Sequence, residues 1–204
     1  MDTIIDFVKK ELEKDHSGHD FQHALRVYNN AKKINAIEKG NEKIVLTAAL
    51  IHDTVDKKLF DNFEERLLYV KEFLLQNNYS KNEVDEVIYI ISNISWNNGK
   101  NVSLETLNAK IVRDADRLDA IGAMGIIRTI EYGASKQRKF YDNDNITTKN
   151  NKYTFNKIST STLSHFYEKL LLLKENLHTK TALNIAEQRH NFMLKFLEEF
   201  YEEL

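Results

Sequence analysis

The chain has 204 residues, of which 42% are hydrophobic and 29% charged, with a formal net charge of −2. These values fit one folded domain with a sizeable core, spanning 1–204, and they argue against a dedicated nucleic-acid binder, which is usually strongly basic. The absence of cysteine excludes disulfides, thiolate zinc sites and cysteine nucleophiles, so any metal must be held by nitrogen and oxygen.

Residues 1–14 alternate apolar and charged side chains with no apolar segment of signal-peptide length, and no later run approaches a membrane span. The expectation is a cytoplasmic protein with no membrane partner. Ile5, Val8 and Leu12 fall on one helical face, with Asp2 or Thr3 placed to cap its start. Asp15-His16-Ser17-Gly18 interrupts the pattern, and a second helix is predicted from about Asp20 to Glu38, stopped by Gly40. It carries His19, His23 and Arg26 at spacings that share one face. A third helix, about Glu42 to Val55, is apolar on most of its circumference, as a central helix must be.

Amphipathic segments follow at Phe63 to Leu75 and Asn82 to Ile94, and the turn-rich Trp96-Asn97-Asn98-Gly99-Lys100 leads into a helix predicted over Leu104 to Ala123. Residues 136–157 are rich in Asn, Asp, Lys and Thr and read as a long loop or lid. The remaining segment, 158–204, is predicted to form helices at Thr160 to Leu173 and Thr181 to Tyr201 that pack on the same domain. Proline is absent and no alternating strand pattern stands out, so the predicted fold class is all-α.

Two stretches carry chemistry. Ala48 to Ile51 is continuously apolar and runs directly into His52, Asp53, Asp56 and Lys57; such groups enter an interior only when hydrogen-bonded, ion-paired or ligated. Between Arg113 and Asp119, three aspartates and two arginines occupy seven positions flanked by apolar residues, which a solvated charge run would not be. Taken together, His23, His52, Asp53 and Asp116 form a ligand set suited to Mn²⁺, Fe²⁺, Zn²⁺ or Mg²⁺ with coordination positions left for water. A His19/His23 pair, at metal-competent helical spacing, competes with this set. Arg26, Lys57 and Arg117 each lie near a candidate ligand in sequence, the arrangement that holds a phosphate beside a metal.

His23, then His52-Asp53, then Asp116 in an all-α chain resembles the H…HD…D signature of HD-domain metal-dependent phosphohydrolases. The blocks His19 to Val27, Ala49 to Lys57, Asp114 to Ala123 and His165 to Leu170 resemble the motifs of a bacterial subgroup of small, stand-alone HD hydrolases. The first three lie within 19–123. The resemblance implies a helical bundle around a central metal site, in which His23, His52, Asp53 and Asp116 ligate one divalent ion (Mn, Mg, Fe, Co or Zn, with Mn or Mg favoured).

It selects Asp116 over Asp114 and Asp119, and it matches Asp56 to an acidic residue that orients or deprotonates the attacking water. The family more often has Glu there. No histidine lies between His52 and His165, so the extra ligands of dinuclear HD phosphodiesterases are missing and a mononuclear site is favoured. Lys57 joins Asp56 as a catalytic candidate. His19, Arg26, Lys57, Arg117, Asp119, His165 and Lys169 are the candidate substrate contacts.

The implied activity is hydrolysis of a nucleoside triphosphate to a monophosphate and pyrophosphate by ion-activated water. The alternatives are a 5′-nucleotidase releasing orthophosphate, a nucleotide-binding regulatory module without turnover, and a helical interaction protein with a structural ion. A small-molecule nucleotide is the expected partner, nucleic acid is not, and a homodimer is compatible with the reading.

Overall fold

A computed structural model describes residues 1–13, 19–55, 62–94, 103–141 and 161–204. The catalytic candidates Asp56 and Lys57, the Trp96 to Lys100 turn and most of the expected 136–157 loop lie outside the described residues. Among the described residues the chain is all-α, and its β features are limited to an isolated parallel bridge between Lys139 and Ser161. Two compact units are formed by the described residues of Met1 to Asp116 and of Arg117 to Leu204.

The first unit is organised around α3 (Glu42–Ile51), every residue of which from Ile44 onward is buried. Helices α1 (Asp2–Leu12), α2 (Phe21–Glu38) and α5 (Lys81–Asn93) pack on it, and α4 (Phe63–Gln76) packs on α5. The helix starts follow the local chemistry. Asp20 caps α2 by accepting the His23 backbone N–H at 2.7 Å, and Ser80 with Glu83 forms a reciprocal capping box on α5. Helix α1 departs from expectation, because it starts at Asp2 with Met1 at its N-cap and no side-chain cap. Inside the unit, Thr47 Oγ1 and Tyr79 Oη meet at 2.6 Å, which satisfies both hydroxyls within the core.

Two boundaries differ from the sequence reading. The helix expected to reach Val55 ends at Ile51 and tightens into a 3₁₀ turn, His52–Val55. The helix expected over Leu104 to Ala123 is instead α6 (Leu107–Asp119), followed by a sharp break and α7 (Gly122–Ser135). The break follows from Gly122, whose φ of 78° lies in the left-handed region. A Cβ there would also sit 2.9 Å from Arg189 Cγ.

In the second unit α7 packs on α9 (Lys180–Glu202), which Thr179 caps through the Ala182 N–H. The predicted Thr160 to Leu173 helix is divided into a short α8 (Ser164–Glu168) and a 3₁₀ segment, Leu170–Asn176, whose leucines are buried. No described helix is long and apolar enough to cross a membrane.

Candidate metal centre

Neighbouring side chains diverge by about 100° on an α-helix and by about 120° on a 3₁₀ turn. In the 3₁₀ turn that follows α3, His52 Nε2 nevertheless lies 3.3 Å from Asp53 Oδ1. Helix α2 brings His23 alongside, with Nε2 3.3 Å from His52 Nε2 and 3.3 Å from Asp53 Oδ2. Helix α6 supplies Asp116, whose Oδ1 is 3.4 Å from His23 Nε2 and 3.8 Å from His52 Nε2. Asn30, buried on α2, ties the two helices by donating to the Ala115 carbonyl at 3.2 Å, one residue before Asp116.

His19 precedes α2 and places Nδ1 3.0 Å from Asp53 Oδ2. The five side chains thus form two overlapping donor groups, His19/His23/Asp53 and His23/His52/Asp116, that share His23.

The donor chemistry fits a divalent cation. His52 Nδ1–H donates to the Ala49 carbonyl at 2.9 Å, which fixes the ring orientation and turns Nε2 toward His23. Two buried ring nitrogens at that separation, with two carboxylates around them, would be satisfied together by a divalent cation. Burial alone would raise the Asp53 pKa, but the imidazoles of His52, His19 and His23 outweigh it and hold the carboxyl down at about 2. The carboxylate is therefore ionised and available to a metal throughout the physiological range.

Access is one-sided: the His23, His52 and Asp53 side chains are 2–6% exposed, against 28% for Asp116 and 22% for His19. The cluster is therefore exposed to solvent along its Asp116 and His19 edge.

The remaining sequence candidates are distributed differently. Arg26 lies half-buried on α2, three residues beyond His23. Arg117 is buried and donates to the Asn176 carbonyl, and Asp119 is buried in a 2.7 Å ion pair with Arg128. Both engagements, together with Arg189 donating to the Leu118 carbonyl, hold the C-terminal end of α6. Sequence reasoning did not find Arg128 or Arg189, because neither lies near a motif: Arg128 comes back to Asp119 on α7, after the α6–α7 break, and Arg189 reaches Leu118 from α9, which packs on α7.

His165 belongs to the second unit, where burial, then the charges of Lys169 and Arg138, push its pKa down from 6.5 to about 4. The folded state therefore binds fewer protons than the unfolded chain between these values. Its contribution to stability is complete above pH 6.5 and declines as the pH falls toward 4. Chemical denaturation at pH 7 and pH 4.5 should show wild type losing about 2 kcal/mol more than His165→Gln. Equal losses in the two proteins would show that His165 titrates normally in the fold.

The HD-domain family model matches residues 20–121. The Bacillus subtilis protein YpgQ is 36% identical over 205 residues, covering 100% of this chain and 93% of the relative. A crystal structure of B. subtilis YpgQ in complex with ADP superposes with a TM-score of 0.80 at 34% identity, covering 100% of this chain and 97% of that one. An HD-superfamily hydrolase from Bacillus thuringiensis superposes with a TM-score of 0.80 at 39% identity, covering 99% and 95%.

Proposed function

The chain belongs to the HD-domain family of metal-dependent phosphohydrolases, and from this premise we propose that it hydrolyses nucleoside triphosphates to a monophosphate and pyrophosphate. The observation that carries the reading is the buried cluster of two facing imidazoles and two carboxylates with one solvent-accessible edge. The ADP complex of YpgQ supports a nucleotide as the substrate class.

When bound, a divalent ion supplies Lewis-acid polarisation of a phosphoryl oxygen and lowers the pKa of water. His23, His52, Asp53 and Asp116 are the residues proposed to hold it, with His52 oriented by its bond to the Ala49 carbonyl. Asp56, three residues after Asp53 in sequence, is assigned to the proton of the attacking water, with Lys57 beside it. Arg26 and Lys57 are assigned to offsetting phosphate charge. His165 and Lys169 remain proposed substrate contacts. Arg117 and Asp119 are assigned to holding the end of α6, since both already serve that purpose.

The test is product identity. Metal-stripped protein, supplied separately with Mn²⁺, Mg²⁺, Fe²⁺, Co²⁺ or Zn²⁺, is expected to release pyrophosphate from nucleoside triphosphates. Orthophosphate from monophosphates would replace this reading with a 5′-nucleotidase. Metal-dependent binding with no turnover across the panel would replace it with a regulatory module.

A further inference from the structure

The turn that carries His52 and Asp53 is held from outside by a residue that no motif contains. A 3₁₀ turn at a helix end leaves its last carbonyls without helical donors. Here the Thr54 carbonyl, one residue after Asp53, receives two: Arg66 Nε at 3.0 Å and Arg66 Nη2 at 2.9 Å.

Arg66 stands on α4, and the same Nη2 donates to Glu11 Oε2 of α1 at 2.7 Å. Tyr69 lies beneath the guanidinium, 4.9 Å from ring centroid to Cζ, and its hydroxyl donates to Glu11 Oε1 at 3.4 Å. The ion pair is largely shielded, with side-chain exposures of 17% for Arg66 and 14% for Glu11. Within the turn, Thr54 Oγ1 donates to the Ile51 carbonyl at 2.7 Å, which braces the turn from its other side.

A planar guanidinium with two N–H groups on one carbonyl fixes the direction of that carbonyl, and hence of its peptide plane, in a way a lysine ammonium cannot. The plane so fixed adjoins the Asp53–Thr54 segment that brings Asp53 Oδ1 to His52 Nε2. We infer that Arg66, oriented by Glu11, is a positioning residue that sets the geometry of the His52–Asp53 turn for metal binding. This rests on the metal-centre reading above.

The experiment measures Mn²⁺ affinity of the full chain by titration followed by electron paramagnetic resonance of free Mn²⁺, beside circular dichroism and thermal unfolding, for wild type, Arg66→Lys, Arg66→Ala and Glu11→Gln. Loss of a group bonded directly to a metal ligand typically costs 10–100-fold in affinity, and Arg66 acts one residue further out, through the Thr54 carbonyl. We therefore expect Arg66→Lys to bind Mn²⁺ about tenfold more weakly at full helicity, with Glu11→Gln shifted in the same direction by less.

The double variant Glu11→Gln/Arg66→Lys is expected to be less than additive, because the two side chains act as one unit. A residue with a merely structural role would lower the melting temperature while leaving Mn²⁺ affinity per folded molecule unchanged, and that outcome overturns the inference. Should both Arg66 variants fail to fold, Glu11→Gln, which leaves Arg66 in place, decides on the same criterion. Absence of Mn²⁺ binding by wild type would overturn the metal reading and the clamp with it, whereas wild-type binding with unaltered variants overturns the clamp alone.

Discussion

Asp53→Asn is expected to abolish metal-dependent phosphohydrolysis while leaving the fold intact. The substitution keeps the shape of the side chain but turns one acceptor oxygen into an N–H donor. It removes the charge that sits among His19, His23 and His52. An ion's stabilisation of transition-state charge is worth several kcal/mol, so losing its hold corresponds to a fall in kcat/KM of about 10³-fold.

The accompanying measurement is thermal unfolding with and without Mn²⁺. At a free concentration about 100 times Kd, the ion stabilises wild type by about 2.7 kcal/mol, and this increment should vanish in Asp53→Asn. A variant that retained both turnover and the increment would place the ion elsewhere in the chain.

Gly125→Ala is expected to be the most damaging small substitution in the second unit. A Cβ at this position would land on the Ala120 carbonyl, a backbone group between α6 and α7 rather than the movable end of a side chain. Overpacking of this kind costs about 1–3 kcal/mol, and more when backbone must move. An effect near 3 kcal/mol would lower the melting temperature of a chain this size by roughly 6–12 °C. A differential scanning experiment showing no change would mean that the start of α7 can shift freely.

Much of the site was legible in the sequence for a local reason. His52 and Asp53 adjoin a wholly apolar run, and a charge at the edge of a buried helix must be satisfied on the spot, so their type and position already implied a ligand or an ion pair. For His23, spacing leaves two arrangements open, the four-residue set and a His19/His23 pair; in the fold Asp20 caps α2 at the His23 N–H and His23 faces His52. The all-α class followed from hydrophobic spacing, which records which face of each segment leaves water. Asp116 is different. Among Asp114, Asp116 and Asp119, spacing made no choice; the resemblance did, and the fold brings Asp116 to His23 and His52 while Asp119 pairs with Arg128.

What only the tertiary structure decided were features that depend on partners far along the chain. The 3₁₀ turn at His52–Val55 has no signal in its own residues; it is supported by Arg66 and Glu11, which arrive from α4 and α1. His19 reads by sequence as a substrate contact, with a His19/His23 metal pair as the competing reading, and its place against Asp53 depends on how the segment entering α2 meets the end of α3. Arg117 read as a phosphate contact because it follows Asp116, yet adjacent helical residues point about 100° apart, and its side chain turns to the Asn176 carbonyl. Sequence determined which groups are costly to bury and so must find partners; three-dimensional packing determined which partners they found, because hydrogen bonds and ligation act over about 3 Å in space and ignore distance along the chain.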